Sequence, residues 1–539
     1  MSKNKLDELV KGYGQKFPGA EAILSAVPSE AEKSRLRMPI PGLGRYAENT
    51  KFLEGITSGE AVGLLRFRVA KAYFKALCDT MDCYHLDGGK YGSKTVCGEV
   101  KVDVWVAILQ EIGVSVDDVY RAELMEKFTE HDTAAATDYL KLVVGNRFPE
   151  LEPMLDGFHF GLTSEDNIGL VFGIILNNLT YRHFVPELLD LCEFLMNYAS
   201  VLEKVDPLVL PWLTHEQGAE VTTLGKIFMN RICAIVDLLE NLIDRENPNH
   251  FRPFSGKLSS AIGNYTTLYA AYPDIKWRNF AKLFVESMGL TNIEMADQCV
   301  PYTIEVSHFS TIANILTQVI KLADDFVKMV RTPAQFFVKM KKAGTKGSSI
   351  MPNKSNMWNI EGAIRMLREA QDKLFFYCKE LPLYPEAGNM GRSYLMRNIG
   401  DIFMPVFIAL SRIKKEISGC APNQEKIKAF FHEYPGLAGS IIQTVLKREN
   451  VASDAYREIE KIAINSNGTY ANAEQFKSGL DQMCTNLNLS AELKEELLSY
   501  LKPENGIGKA DELAKDKMVE LTMKLLKYRG MAMGVYVPG

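Results

Sequence analysis

The amino-acid sequence predicts a mainly α-helical protein built around a central bundle of long helices. Between Phe309 and Val330 the apolar residues recur at alternating steps of three and four, the spacing of a helix packed along a seam. Two further stretches, 168–202 and 222–243, are rich in Leu, Ile, Phe and Val, and we expect Pro186 to kink or interrupt the first. Strand patterns are few and short. Helices with such long seams usually bury them against several partners, so we expect a bundle and oligomerisation through it.

Three helical domains are expected from the length of the chain and from two boundaries. A chain of 539 residues, 47% of them hydrophobic, holds enough apolar material for a large core and is long for a single domain. The predicted domains are an N-terminal helical domain over 1–152, a central bundle domain over 153–423 and a C-terminal helical domain over 424–539. The first boundary precedes the first long helix, and the second lies at the turn-forming sequence GCAPNQ.

The net charge and the first residues exclude several classes of protein. A formal net charge of -5 is not typical of a nucleic-acid-binding chain, so an anionic substrate must be captured by a local basic site. The first residues, MSKNKLDELVKGYG, lack the apolar core of a secretory signal, and no apolar run reaches the roughly 18 residues of a membrane-spanning helix. We therefore expect a cytoplasmic protein with no membrane or nucleic-acid partner and with reduced cysteines.

Three weaker patterns are assigned no ligand. One consists of four possible metal ligands, Cys78, Cys83, His85 and Cys97. Their spacing matches no zinc pattern and buried free cysteines are common, so we predict no metal. The glycine-rich stretch 88–94 lacks the residue order of a phosphate-binding P-loop and is interpreted as a surface loop. The basic stretch 515–529 is either an amphipathic helix that binds a partner or a membrane surface or, as we favour, the solvated face of a helix.

The segment from Gly344 to Asn356, GTKGSSIMPNKSN, carries the most chemical information. Its glycines, proline, serines and lysines lie between two strongly helical regions, which suits either a mobile lid or an ordinary exposed connection. On composition alone the exposed connection is the better interpretation. The order Gly-Ser-Ser-x-Met-Pro-x-Lys-x-Asn, which begins at Gly347, resembles the signature loop of the fumarase/aspartase superfamily. The resemblance therefore predicts a functional loop over 344–357.

Two more segments resemble that superfamily, in the same order along the chain. Thr-Ser-Glu-Asp-Asn at 163–167 begins a predicted long helix, and taken alone it would be a capping box. Thr-His-Glu-Gln at 214–217 also precedes a long helix, and taken alone its histidine would more often be structural. Together the three segments imply a mainly α, three-domain fumarase/aspartase-like fold with a central long-helix bundle.

Further segments are similar to the adenylosuccinate lyase family, above all to its bacterial branch. They are Gly44-Arg45-Tyr46, Glu130-His131-Asp132, 261–265 with 270–277, and Arg397-Asn398-Ile399-Gly400. This resemblance implies β-elimination of fumarate from a succinyl-amine, most of all adenylosuccinate giving AMP, and also the succinyl-carboxamide ribotide of purine synthesis. It further implies a homotetramer that shares its active sites between subunits, and the chemistry requires no metal or organic cofactor.

The resemblance assigns catalytic roles to four residues. Ser348 would be the base that removes the proton beside a carboxylate, and His215 the acid that protonates the leaving nitrogen. A serine is a poor base unless its alkoxide is stabilised, for which the N–H groups of the loop and Lys354 are candidates. Lys354 would also hold the carboxylate whose charge grows in the transition state, and His131 would orient the substrate and support the acid.

The same resemblance implies a set of substrate-binding residues. They are Asn356, Thr163 and Ser164 for the two carboxylates, Asp132 for orientation, Gln298 for a further substrate contact, and Arg45, Tyr46, Ser393 and Arg397 for the nucleotide phosphate.

The match departs from the family in segments expected to contact the substrate. Gly388 stands where the family has an arginine, and a new arginine, Arg392, either substitutes for the lost charge or marks a changed substrate. Glu216 replaces a glycine beside the proposed acid. Two alternatives therefore stay open. One is a divergent lyase of the superfamily acting on another succinyl-amine, and the other is a catalytically silent helical oligomer, which loss of Ser348 or His215 would indicate.

Overall fold

The computed structural model describes residues 29–38, 41–86, 100–244, 252–331, 334–341, 344 and 346–537. The chain divides into two compact units, the first ending at Glu54 and the second beginning at Gly55. The first unit contains α1 (Glu30–Leu36), α2 (Pro41–Thr50) and a 3₁₀ turn (Lys51–Leu53).

The elements that follow include one long helix, α4, against which the later ones pack. They are α3 (Glu54–Thr57), α4 (Gly59–Leu86), α5 (Val102–Gln110), α6 (Val116–Thr129), α7 (Asp132–Arg147) and a 3₁₀ segment (Pro149–His159). Aromatic side chains on α4 anchor this layer, since Tyr73 and Phe74 are fully buried. The ring of Phe74 lies 4.5 Å, between centroids, from that of Phe158.

The central region consists of long helices joined by short strands and loops. Its elements are α8 (Ser164–Asn177), a π-helical segment (Asn178–Phe184), α9 (Val185–Leu202), β1 (Val209–Thr214), β2 (Gln217–Thr223), α10 (Leu224–Ile243), β3 (Ser255–Gly256), α11 (Thr266–Ala271), α12 (Trp277–Ser287), β4 (Thr291–Asn292), α13 (Thr303–Val330), β5 (Phe337–Lys339), α14 (Trp358–Glu380), α15 (Gly391–Arg397), α16 (Ile399–Ser418) and β6 (Cys420–Pro422).

The predicted seam between Phe309 and Val330 lies on α13 and faces the centre of the bundle. Its residues Phe309, Ile312, Leu316, Val319, Ala323 and Phe326 are all buried, and Val330 at its end is half-buried. Helix α14 runs antiparallel to α13, because Gln371 Nε2 donates to the carbonyl of Ala313 at 2.8 Å and Cys378 Sγ lies 3.6 Å from the carbonyl oxygen of Val306. The central long-helix bundle predicted from the sequence is therefore confirmed.

Pro186 does not end the helical run that contains it. The π-helical segment precedes α9, and the N–H of Val185 donates to the carbonyl of Thr180, five residues back. Pro186 then lies in the first turn of α9, where the missing N–H of a proline is tolerated. The expected kink or interruption is replaced by a local change of hydrogen-bond register.

Strands occur only as short pairs in the described part of the chain. The longest pair is the antiparallel hairpin β1–β2, in which Val209 pairs with Thr223 and Thr214 with Gln217. β3 pairs with β4 in parallel, and β5 pairs with β6 in antiparallel orientation. The sequence patterns predict few and short strands, but they do not predict this hairpin.

The remaining described elements are mostly short helices, followed by one long helix of 24 residues. They are α17 (Gln424–Glu433), a 3₁₀ turn (Pro435–Ala438), α18 (Gly439–Arg448), α19 (Ala455–Ala463), α20 (Ala473–Asn486), α21 (Ala491–Ser499), a 3₁₀ turn (Pro503–Gly506) and α22 (Ala510–Met533). The basic stretch 515–529 lies on α22. Leu521 and Leu525 of this helix are buried, while Arg529 Nη2 pairs with Asp190 at 2.6 Å. The exposed residues of the stretch include the apolar Val519, Met523 and Leu526, so both interpretations of it stay open.

Several sequence predictions receive no test from the described residues. The domain boundaries at 152/153 and 423/424 stay predictions. Of the four possible metal ligands, Cys78 is buried on α4, whereas the side chains of Cys83, His85 and Cys97 and the loop 88–94 lie outside the described residues. In the part of the chain that the structure describes, no helix is both long and apolar enough to cross a membrane.

The seam of α13 predicts how stability depends on it. Replacing the fully buried Leu316 with alanine removes three carbons from a packed core and leaves a cavity, which should cost about 2–5 kcal/mol. The same substitution at Leu283 on α12, whose side chain is 58% exposed, should change stability by less than about 0.5 kcal/mol. Urea unfolding followed by far-ultraviolet circular dichroism measures both. Equal midpoints for the two variants would contradict the packing described for α13.

Candidate active site

The signature loop connects β5 to α14 and is closed by its own polar groups. Ser348 Oγ accepts a hydrogen bond from the N–H of Met351 at 3.1 Å, and Asn356 Nδ2 donates to the carbonyl of Gly347 at 3.2 Å. A side chain at Gly347 would lie 2.0 Å from the carbonyl oxygen of Lys354, so the closure requires a glycine. Ser348 is half-buried and Lys354 is exposed. The loop therefore presents a serine oxygen already facing a backbone N–H, next to an exposed lysine.

A buried carboxylate anchors the base of the signature loop. Glu416, near the end of α16, is 2% exposed and pairs with Lys339 Nζ at 2.6 Å. The second oxygen of Glu416 accepts from Asn359 Nδ2 at 2.6 Å, and Lys339 also donates to the carbonyl of Asn356 at 2.9 Å. Both ends of the signature loop are therefore bound to one buried carboxylate.

His215 lies at the tip of the β1–β2 hairpin and not directly before a helix. His215 and Glu216 form the two-residue turn, with positive φ values of 53° and 62° that place both in the left-handed region. Positive φ at both positions is the pattern of a type I′ turn, which side-chain-bearing residues adopt at a cost. Both residues are exposed, and the carboxylate of Glu216 lies 3.5 Å from Arg331 Nη2.

A cleft of about 800 Å³ lies beside this hairpin. His215, Arg331 and the aromatic residues Tyr434 and Tyr470 are among its lining residues. Tyr470 donates through its hydroxyl to Gln217 Oε1 at 3.0 Å. The C-terminal part of the chain therefore helps to position the hairpin that carries His215, a contribution that sequence reasoning missed.

A second group of predicted residues surrounds Asp132, the first residue of α7. Asp132 Oδ2 pairs with Arg397 Nη2 at 2.5 Å and also with the guanidinium of Arg66. Burial alone would raise the pKa of Asp132, but the two guanidinium groups and the N–H of Thr133 hold that pKa below its ordinary value. The preceding residue, His131, caps α7, because its Nδ1 accepts from the N–H of Ala134 at 3.4 Å.

Thr163 and Ser164 begin α8, as the sequence predicts, and a buried carboxylate holds that helix start. Asp166 accepts from the N–H of Thr163 at 3.0 Å and from Lys257 Nζ at 2.8 Å. Asp166 is fully buried and Lys257 is 2% exposed. This segment can act as a capping box and still contact a substrate. The capping carboxylate of Asp166 is buried in the protein, while Thr163 and Ser164 are only half-buried.

Arg392 is bound internally to Glu165 of α8. The two side chains form an ion pair and both are buried. Burial raises the pKa of Glu165 to about 7, and the charge of Arg392 offsets only part of that effect. Helix α15, which carries Arg392, also carries Ser393, which is buried within this chain. The guanidinium of Arg392 is therefore paired with a protein carboxylate, and its Nη1 lies 3.1 Å from Cys299 Sγ.

Gly388 lies against the segment that contains Gln298. A side chain at Gly388 would meet Cys299 Sγ at 2.8 Å and Gln298 Oε1 at 3.0 Å. A larger residue at this position would displace Gln298. The observed position of Gln298 therefore requires a residue as small as glycine at 388.

The predicted residues gather at two opposite ends of the bundle. The signature loop and His215 lie near the end of α13, and we call this the Ser348 end. The second group, at the start of α13, comprises His131, Asp132, Thr163, Ser164, Gln298, Ser393 and Arg397, and we call this the Asp132 end. Helix α13 has 28 residues and spans about 42 Å at 1.5 Å per residue, so one chain cannot bring the two ends together.

Two further predicted residues lie in the first of the two compact units. Arg45 and Tyr46 lie on α2 in the first unit, where Arg45 is exposed and Tyr46 is half-buried.

The residues that sequence reasoning missed are mainly the partners of those it found. Five charged residues form ion pairs in or beside the predicted segments, and none of these pairings was predicted. They are Arg66, Lys257, Lys339, Arg392 and Glu416. Arg66 precedes Asp132 by 66 positions, and Lys257 follows Asp166 by 91. No local pattern in the sequence marks such pairs.

Comparison with known proteins identifies the family. A family model described as lyase matches residues 96–370. Adenylosuccinate lyase from Escherichia coli is 27% identical over 487 residues, covering 89% of this chain and 98% of that protein. Adenylosuccinate lyase from Haemophilus influenzae is 26% identical over 472 residues, covering 87% and 96%. The corresponding enzyme from Vibrio cholerae is 26% identical over 490 residues, covering 90% and 100%.

The fold has a relative among solved structures. The 3-carboxy-cis,cis-muconate lactonizing enzyme from Pseudomonas putida is 16% identical, with a TM-score of 0.61 over 89% of this chain and 97% of that one. This similarity concerns the fold. Together, the family match, the relatives and the bundle geometry show that the chain belongs to the lyase family and is a carbon–nitrogen lyase of the fumarase/aspartase superfamily.

Proposed function

We propose that this lyase removes fumarate from adenylosuccinate to give AMP, and acts likewise on the succinyl-carboxamide ribotide of purine synthesis, in the cytoplasm. The observation that carries the proposal is the intact signature loop, in which Ser348 Oγ already faces the N–H of Met351. The relatives that match nearly the whole chain carry the name adenylosuccinate lyase, which supports this choice of substrate.

Each step of the elimination can be assigned to a residue of the chain. Ser348 takes the proton from the carbon beside the carboxylate, while backbone N–H groups of the loop and Lys354 stabilise the alkoxide and the growing carboxylate charge. The C–N bond then breaks, its electron pair leaves with the nitrogen, and His215 protonates that nitrogen. The double bond of fumarate forms between the two carbons. His131 and Asp132 orient the substrate.

The distance between the two ends of the bundle supports a shared active site. Because about 42 Å of α13 separate the Ser348 end from the Asp132 end, we propose that the Ser348 end of one subunit meets the Asp132 end of another. A homotetramer with shared active sites meets this requirement. In such an assembly the succinyl part of the substrate is held by Asn356, Thr163, Ser164 and Gln298. The phosphate is held by Arg45, Tyr46, Ser393 and Arg397.

One observation favours another succinyl-amine as the substrate. The cation that the family places at Gly388 is missing, and Arg392 is paired with the buried Glu165. A substrate that carries less negative charge at that position would fit the remaining charges. The silent-oligomer alternative has less support, since Ser348, His215 and Lys354 are all present.

A paired serine substitution tests the reaction and its base. The purified wild-type protein should convert adenylosuccinate to AMP and fumarate. Ser348→Ala should lower kcat by about 10²–10⁴-fold, because general-base catalysis typically contributes that much. Ser349→Ala, which removes the exposed neighbouring hydroxyl, should stay within about fivefold of the wild type. Fumarate release, followed by its ultraviolet absorbance, measures all three. A wild-type protein that is folded but inactive would remove adenylosuccinate, and other succinyl-amines would then be screened.

Mixing two inactive variants tests the shared site. Ser348→Ala and Arg397→Ala alter opposite ends of the bundle, so each should be nearly inactive alone. After joint unfolding and refolding, some sites in mixed oligomers combine two unaltered ends, and activity should recover to about a quarter of the wild-type value by random assortment. Each variant refolded alone is the control. Failure to recover activity from mixed oligomers that have formed would show that both ends act within one chain.

A further inference from the structure

One carboxylate oxygen at the Asp132 end is shared by two guanidinium groups. Asp132 Oδ2 accepts from Arg397 Nη2 at 2.5 Å and from Arg66 Nη2. The other oxygen, Oδ1, accepts from the N–H of Thr133 at 2.6 Å. In the chain as described, Arg397 is therefore occupied by Asp132, although a phosphate-binding role requires it to be available.

The two arginines differ in how firmly they are held. Arg66 extends from the N-terminal third of α4 and its side chain is 11% exposed, whereas the side chain of Arg397, at the end of α15, is 51% exposed. Asp132 itself is 17% exposed. An exposed ion pair contributes little net stability, while a buried charge is costly to leave unpaired. Arg397 is thus the partner that can leave, and Arg66 the partner that must remain.

Among the ion pairs at this end, one has a positive group in excess. Glu165 pairs with Arg392 and Asp166 with Lys257, each as one cation with one anion. Arg66, Arg397 and Asp132 instead combine two cations with one anion. Glu126 acts on Arg66 only as a weaker, more distant charge. An incoming anion can therefore be neutralised here without uncovering a buried carboxylate, provided that Asp132 keeps one guanidinium.

Arg66 can form a second hydrogen bond to Asp132. Its buried Nε has no hydrogen-bond partner among the described residues. A guanidinium can bind a carboxylate through two parallel N–H groups, so Arg66 can use Nε as well as Nη2 once Arg397 has moved.

We propose that Arg66 is a positioning residue that retains Asp132 while Arg397 turns to bind the phosphate monoester of the substrate. The inference rests on the proposed function, in which Arg397 contacts a nucleotide phosphate. Without Arg66, Arg397 is the last counter-ion of Asp132, and phosphate must break that ion pair in order to bind. With Arg66 present, Arg397 exchanges one anion for another while Asp132 stays paired.

Titration with inorganic phosphate tests this without requiring turnover. The full-length protein and its variants are titrated by calorimetry, with folding checked by circular dichroism. Arg66→Gln should weaken phosphate binding about tenfold, whereas Arg66→Lys, which keeps the charge, should stay within about threefold of the wild type. Arg68→Gln removes the same charge from the same helix at a position outside this cluster and should change affinity less than twofold.

A double variant separates positioning from simple loss of charge or fold. In Arg66→Gln/Asp132→Asn nothing holds Arg397, so phosphate affinity should return to within about threefold of the wild type. The inference is overturned by a wild-type protein that binds no phosphate, by an Arg66→Gln variant with unchanged affinity, or by a double variant as weak as Arg66→Gln. If Arg66→Gln fails to fold, Asp132→Asn alone decides, because it should tighten phosphate binding and a weaker affinity overturns the inference. Fumarate release is measured separately, so failure of the proposed function shows there and not in the phosphate titration.

Discussion

Asp166 accepts hydrogen bonds from four donors inside the protein, and the Asp132 end is built around it. Thr163, the residue before α8, donates its N–H to Asp166, and Lys257 Nζ supplies the countercharge. The N–H groups of Ser259 and Ser260 bind the same carboxylate at 2.9 and 3.1 Å. A carboxylate removed from water at this depth is tolerated only because every donor is in place. The position of Thr163 and Ser164, and of the residues that pack on them, follows from that requirement.

The long helices extend this local order across the molecule. Helix α16 begins directly after Arg397 and ends near Glu416, which anchors the signature loop. The 20 residues of that helix span about 30 Å, so the two ends of the bundle keep a fixed separation. Rigid helices thus position half-sites that are far apart within one chain. The chemistry depends on how copies of the chain are arranged around those half-sites.

The sequence predicted what depends on local pattern. The seam of α13, the helix start at Ser164 and the position of the signature loop each arise from spacing within a few turns, and the structure agrees with all three. The hairpin that carries His215 was missed, because a turn of His215 and Glu216 lacks the Asn-Gly or Asp-Gly signal of such turns. Arg66 and Lys257 were missed because they meet their partners only through tertiary folding. Their charges resemble those of any solvated lysine or arginine until burial is known.

The π-helical segment between α8 and α9 determines which face of α9 points toward the core. Each residue of an α-helix turns the chain by about 100°, so one residue more or less within the segment would rotate the whole apolar face of α9. Leu188, Leu189 and Cys192 would then turn away from the core in which they are now fully buried. Point substitutions on the two helices can be absorbed singly, but insertions and deletions between Asn178 and Phe184 cannot. The length of this short segment is therefore constrained more strictly than its composition.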